Sequence, residues 1–381
     1  MMLNREGNMK NMKKTALSLL IAAFLAATFA FAQDSSAQAD QKIPPGSYKS
    51  LSALPIVMFD NDIGFGYGAK ARFVDFLKIK ESFDLILFNS SKGERWYAFN
   101  FSLPDVEIRQ GKAYKFSFDL KAEYDKFLKY SYYGQGMGSQ KENETIFTHE
   151  TKNLNLTFGR GFTPNFVVEA SYVFRGIDYY GVLDGPFAGQ LRGLGKRFAP
   201  YVSFAVRYDT SDSQIHPTRG FRLLLQDDLA AGFIGSKDAS FNRITLDFRK
   251  YMLVFGDKDV FAVRTLVQYI DGDDIPLFDL SSLGGGGVLN AMRGFGLNRF
   301  MDKGKFLANI EYRFPIWWKI GGNAFVDMGN VWSRLGNVDW GQTAVDYGLG
   351  LRLYLADFLV RVDFGFSEEG TRLYFNFGHI F

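Results

Sequence analysis

The stretch Phe358-Leu359-Val360-Arg361-Val362-Asp363-Phe364-Gly365-Phe366 alternates without a break: its even positions are all apolar and its odd positions mostly polar or small. Period-two alternation marks a β-strand that separates two environments. The same pattern sets Tyr114, Phe116, Phe118 and Leu120 against Lys115, Ser117, Asp119 and Lys121. It also sets Ile244, Leu246 and Phe248 against Arg243, Thr245, Asp247 and Arg249. A charged face needs water or partners, so one side of these strands is wet. Alternation alone does not choose between a sandwich, with its apolar face inward, and a membrane barrel, with its apolar face outward.

Composition and the chain ends do choose. The 381 residues include 40 Phe and 19 Tyr beside 22% charged residues, so aromatics do not replace charge and the two must occupy separate surfaces. Near the start, Lys10, Lys13 and Lys14 precede the apolar run Ala16 to Phe31, and Ala30-Phe31-Ala32 offers a small-x-small cleavage site before Gln33. Residues 1–32 are therefore expected to be a cleaved signal peptide, 33–50 a short periplasmic N-terminal segment and 51–381 a barrel domain in the bacterial outer membrane. Beyond Gln33 apolar stretches such as Phe314-Pro315-Ile316-Trp317-Trp318 fall far short of the roughly 20 residues of a spanning helix. The absence of cysteine excludes a disulfide framework and thiolate metal sites, and a net charge of +3 leaves no nucleic-acid footprint.

Counting alternating segments from Ala53 to Phe381 gives about 16, each near the 9–11 residues that cross a bilayer at a tilt. The expected fold is all-β: a transmembrane antiparallel up-and-down β-barrel. The long connections 125–144, 176–195, 272–304 and 330–342 all follow odd-numbered strands, as extracellular loops do, and an even count returns both ends to the periplasm. The final strand is expected to run from Arg372 to Phe381, with Leu373, Phe375, Phe377 and Phe381 on one face. Phe375, Phe377, Gly378 and Phe381 resemble the C-terminal signal by which outer-membrane barrels are recognised for insertion. Opposite this strand lies a short first strand, Ala53 to Phe59, where Pro55 removes a ladder donor; with Gly378 it marks a weak seam.

The connection from about Asp271 to Gly304 has no regular period, and loops of this length are usually functional or disordered. It contains Gly284-Gly285-Gly286-Gly287 and Met292-Arg293-Gly294-Phe295. Here the sequence resembles the BamA/TamA outer-membrane superfamily, the bacterial surface antigen family, whose sixth extracellular loop folds into the lumen with an Arg-Gly-Phe/Tyr tip. Arg293, Gly294 and Phe295 match that tip. Three further segments agree in order: Asp209-Thr210-Ser211-Asp212 with Pro217-Thr218-Arg219-Gly220, then Glu311-Tyr312-Arg313-Phe314-Pro315, then Phe325-Val326-Asp327-Met328-Gly329. The resemblance implies that acidic residues of the next two strands, Glu311 and Asp327, hold the tip arginine; alternation turns both carboxylates inward.

The resemblance further implies assembly, insertion or translocation of protein or lipid at the outer membrane, without bond chemistry. Members of the family carry periplasmic POTRA repeats, for which residues 33–50 are too short. Expected partners are outer-membrane lipid, the barrel assembly machinery for the chain's own insertion, and periplasmic proteins. No cofactor or metal is expected, and the chain is not expected to be an enzyme. His149, His216 and His379 are scattered, and the four-glycine run lacks the lysine-serine/threonine pair of a phosphate cradle. Asp271-Gly272-Asp273-Asp274 lacks the offsets of a calcium loop. The rival readings are a passive diffusion pore lined by Lys115, Asp119, Arg249, Arg264 and Arg361, and a membrane anchor for a separately encoded enzyme.

Overall fold

The computed structural model describes residues 49–60, 64–188, 194–355 and 358–381; the expected signal at 1–32 and nearly all of the segment at 33–50 lie outside the described residues. In chain order the elements are β1 (Ser50–Asp60), β2 (Gly64–Val74), β3 (Ser82–Ser90), β4 (Arg95–Leu103), α1 (Val106–Arg109), β5 (Tyr114–Tyr132), β6 (Thr145–Gly161) and β7 (Phe166–Asp184). Then come β8 (Gly195–Phe198), β9 (Tyr201–Asp209), β10 (Gly220–Ala230), β11 (Ser240–Leu253), β12 (Val260–Asp274), β13 (Ser281–Leu283) and β14 (Phe300–Asp302). The chain finishes with β15 (Gly304–Trp317), β16 (Ile320–Trp332), β17 (Ala344–Tyr354), β18 (Leu359–Ser367) and β19 (Gly370–Phe377).

One 17-stranded antiparallel sheet forms the wall, and β13 and β14 form a separate two-stranded ribbon. β8 and β9 both pair with β7 and are separated only by Ala199 and Pro200, so they are two halves of one wall strand, interrupted where proline lacks a donor. Counted so, the wall matches the expected number. Its faces are inverted relative to a soluble sheet. On β11, Ile244, Leu246 and Phe248 are exposed, whereas Thr245 and Asp247 are buried. On β18, Phe364 is exposed while Arg361 and Asp363 are buried. Apolar side chains outside and charges inside are stable only with lipid around the wall and a polar interior.

We call the end where β1 starts and β19 stops the near end. The connections 133–144, 185–194, 275–303 and 333–343 lie at the far end, as the strand parity predicts. They are shorter than the sequence pattern implies, because β5, β6 and β7 run for 19, 17 and 19 residues. Their outer ends are held by a cluster of Tyr132, Phe147, Ile177 and Tyr179 with Leu280 and Met301. Packing above the bilayer therefore prolongs strands past the length that lipid demands.

The first and last strands overlap. Phe377 lies on the outward face of β19, yet it packs against Ile56, Ile86, Phe88 and Ala98, the buried face of β1, β3 and β4. Leu54 likewise packs with Phe358 and Val360, beside Phe375 and Phe377. The near end of β18 and β19 is thus tucked inside the first strands, with Lys70 of β2 reaching over the Phe358 and Phe377 rings at 4.9 and 5.4 Å.

The expected final strand also ends early. β19 stops at Phe377, and Gly378 takes φ +76°, a left-handed conformation that only glycine adopts at little cost. The Gly378 N–H donates to the Leu359 carbonyl at 2.8 Å and the chain turns into the lumen. Ile380 and Phe381 are buried against Tyr251, Val260, Ala262 and Ala291. Arg313 Nη2 donates to the main-chain oxygen of Phe381 at 2.8 Å, with its guanidinium 5.2 Å from the ring centroid. Phe381, expected to complete the ladder, is instead an interior residue, because the lumen supplies both an apolar seat and a donor.

Phe381→Ala is expected to destabilise the folded barrel by about 3 kcal/mol, the usual cost of emptying a buried aromatic site. Denaturant midpoints in lipid vesicles would show it; a midpoint equal to that of wild type would mean that the tail contributes no packing.

Candidate functional site: the lumenal loop

The connection from β12 to β15 turns inward. A short turn at Leu277–Asp279 leads into the β13–β14 ribbon, which pairs Ser281 with Asp302 and Leu283 with Phe300. Leu283, Met292, Phe295 and Phe300 pack in one cluster with Leu266 of β12, Leu307 of β15 and Val331 of β16. Burial of this apolar set against the wall draws the loop into the barrel.

At the tip, Arg293 is fully buried and fully paired. Its Nε and Nη2 donate to the two oxygens of Asp327 at 2.8 and 2.7 Å, and its Nη1 donates to Glu311 Oε1 at 2.5 Å. The Arg293 main-chain N–H adds a bond to Asp327 at 3.2 Å, and the guanidinium stacks 3.4 Å from the centroid of the Phe325 ring. A planar fork of donors meets a bidentate carboxylate here, which a lysine does not reproduce. Glu311 uses its other oxygen to accept from Arg313 at 2.8 Å, and Arg352 pairs with Asp363 at 2.7 Å, 3.7 Å from which lies Arg293. Alternating charges make the site tolerable in a dry interior; removing one member leaves its partner uncompensated, at about 3–5 kcal/mol.

Close backbone approach completes the seat. A Cβ at Gly365 of β18 would fall 2.0 Å from the Arg293 carbonyl oxygen, and one at Gly294 would fall 2.5 Å from Cβ of Asp346. Ser367 donates to the Gly294 carbonyl at 2.7 Å and Tyr374 to that of Phe295 at 2.7 Å. Further along the tip the wall holds the main chain alone. Arg361 donates to Gly286 O at 2.9 Å, Lys305 to Leu289 O at 2.7 Å and Asn309 to Ala291 O at 2.8 Å, and Arg264 donates to Val288 O.

The structure brings together Arg293, Glu311 and Asp327, with Gly294 alongside; Phe295 stands apart in the apolar cluster, edge-on to Phe300 at 5.3 Å. Phe375, Phe377 and Gly378 lie away from this site, but Phe381 joins it through Arg313. Sequence reasoning gave no role to Gly365 or Lys305, and it placed Asn309 on the inward face and Phe325 in a matching segment without assigning either to the loop. Alternation had marked Arg361 and Arg264 as wet-facing, and Gly365 sits in the same alternating stretch; the missing information was how deep the loop reaches.

A model of the Omp85 superfamily domain matches residues 84–381. The chain belongs to the Omp85 superfamily. It is by that membership an outer-membrane barrel, and solved structures agree in fold. BamA from Haemophilus ducreyi lacking POTRA domains 1–3 superposes with a TM-score of 0.58 at 15% identity, over 87% of this chain and 70% of that one. CdiB from Acinetobacter baumannii gives 0.54 at 14% identity over 86% of this chain and 59% of its own. CdiB from Escherichia coli gives 0.56 at 11% identity, over 86% and 61%. This Omp85 barrel therefore spans less than two thirds of either CdiB chain. No curated protein matches the sequence at a significant level.

Gly365→Ala is expected to lift the loop tip off β18 and to make Arg293 and Arg299 accessible to trypsin in the folded barrel. Gly336→Ala, where a Cβ meets nothing within 4 Å, is expected to leave the loop protected. Equal cleavage rates in the two variants would count against the close approach.

Proposed function

We propose that this Omp85 barrel inserts or translocates protein or lipid at the outer membrane, without bond chemistry, and that the loop around Arg293 is the plug whose release opens the lumen. The observation that carries this reading is the double ion pair of Arg293 with Asp327 and Glu311, which seats the loop tip in the lumen. The tail adds a second obstruction from the near end, since Ala291 of the loop packs in one cluster with Ile380 and Phe381. By the parity of the strands the near end is periplasmic, so cargo and protein partners approach the tail first. A passive pore would need a lumen clear of both segments, which disfavours the rival reading.

Arg293→Ala removes both pairs while leaving the wall intact. A loss of about 3 kcal/mol from the closed form shifts the open-to-closed ratio about a hundredfold. In planar bilayers the wild type is expected to open rarely and Arg293→Ala to open often; a steady large conductance in the wild type would identify a pore instead.

A further inference from the structure

A cavity of about 340 Å³ lies at the near end, between the tail and the loop tip, with Val288 and Phe381 in its lining. That volume is at the lower end of small-ligand sites. Arg222 and Arg249 line one part, Lys70, Arg72 and Asp84 another, and Phe358 and Phe377 supply apolar wall.

The register concentrates positive charge here. Arg222 of β10 stands directly opposite Arg249 of β11, and Arg249 stands directly opposite Arg264 of β12. Like charges facing one another across a ladder are destabilising. A single carboxylate, Asp247, serves two of these arginines: it accepts from Arg264 Nε and Nη2 at 2.9 and 2.6 Å and from Arg249 Nη2 at 2.7 Å. Arg222 gives its Nε to the Ser211 hydroxyl at 3.0 Å and its Nη2 to the Ser213 carbonyl, and it pairs with Asp209 at 3.4 Å. Across the cavity, Arg72 is occupied by Asp84 and Asp105 at 2.6 and 2.5 Å. Among the described residues Lys70 has no carboxylate within ion-pair distance; its ammonium rests over the Phe358 and Phe377 rings. Lys70, Arg72, Arg222, Arg249 and Arg264 are thus set against the four carboxylates Asp84, Asp105, Asp209 and Asp247, an excess of one positive charge, and all of these cations but Arg264 border the cavity.

We propose that this cavity is a binding site for a phosphate group, carried by a phospholipid headgroup or free in solution. A tetrahedral anion with several oxygens offsets the excess charge by lying between Arg222 and Arg249 on one side and the lysine point charge on the other. The Phe358 and Phe377 rings accept the apolar part of an amphiphile. None of its cations touches Arg293, Glu311 or Asp327, but Val288 of the loop and Phe381 of the tail line it, so the site belongs to the closed form of the function proposed above.

The test uses the barrel in dodecyl maltoside micelles, whose sugar headgroup carries no phosphate, with thermal unfolding followed at constant ionic strength. One arm replaces chloride by inorganic phosphate; the other adds phosphatidylglycerol to the micelles. Saturating phosphate is expected to raise the unfolding temperature by at least about 3 °C. A rise with both probes assigns the site to any phosphate, and a rise with phosphatidylglycerol alone assigns it to a lipid headgroup. Arg249→Gln leaves Asp247 paired with Arg264, and Lys70→Gln breaks no ion pair among the described residues. Each is expected to unfold above wild type without phosphate and to need at least about tenfold more phosphate for its half-maximal shift. No shift with either probe, or a wild-type response in both variants, overturns the proposal.

Discussion

Glu311 is the point through which the interior is tied together. One of its oxygens takes the arginine of the loop tip, and the other takes Nε of Arg313, whose Nη2 reaches the main chain of Phe381. Loop, wall and tail are therefore linked through one buried carboxylate, with Asp327 as the second anchor of the loop. A buried ion is costly unless its pairing is complete. The same condition that makes the arrangement expensive makes it all-or-none: withdrawing one arginine alters the balance felt by the other. A segment that enters from the far end and one that enters from the near end come to share one electrostatic state.

The wall was legible in the sequence because lipid imposes a simple rule, alternation of apolar and polar residues, and Ile244, Leu246 and Phe248 obey it. Strand parity gathered the long connections at one end, opposite the termini, as the structure has them. The tip arginine and its two carboxylates were legible through family resemblance and the inward parity of Glu311 and Asp327. What was not legible depends on contacts between distant segments. The lengths of β5, β6 and β7 follow from packing of Phe147 and Tyr179 against Leu280 and Met301 of the loop, which local periodicity does not encode. The course of the tail depends on one left-handed glycine and on Arg313, and an apolar residue at an outward position looks the same whether its strand continues or turns in.

The overlap of β18 and β19 with the first strands has the same origin. Phe358 and Val360 have outward parity in their strand, and a lipid-facing position is what alternation predicts for them. They are buried because Leu54 covers them. Parity fixes which face of a strand a residue occupies; it does not say what lies against that face. Where a sheet rolls past its own edge, an outward residue can be an interior one.

The grip on the loop tip has an evolutionary consequence. Arg361, Arg264, Lys305 and Asn309 hold the carbonyls of Gly286, Val288, Leu289 and Ala291, and every polypeptide carries carbonyls. The side chains of Val288 and Leu289 point into open space and are 44% and 53% exposed. The contacts that seat the loop therefore call for particular side chains on the wall and at Arg293, and leave those at 288 and 289 outside the grip, that of Val288 bordering the near-end cavity. Such a loop can change the side chains it carries there without altering the contacts that seat it.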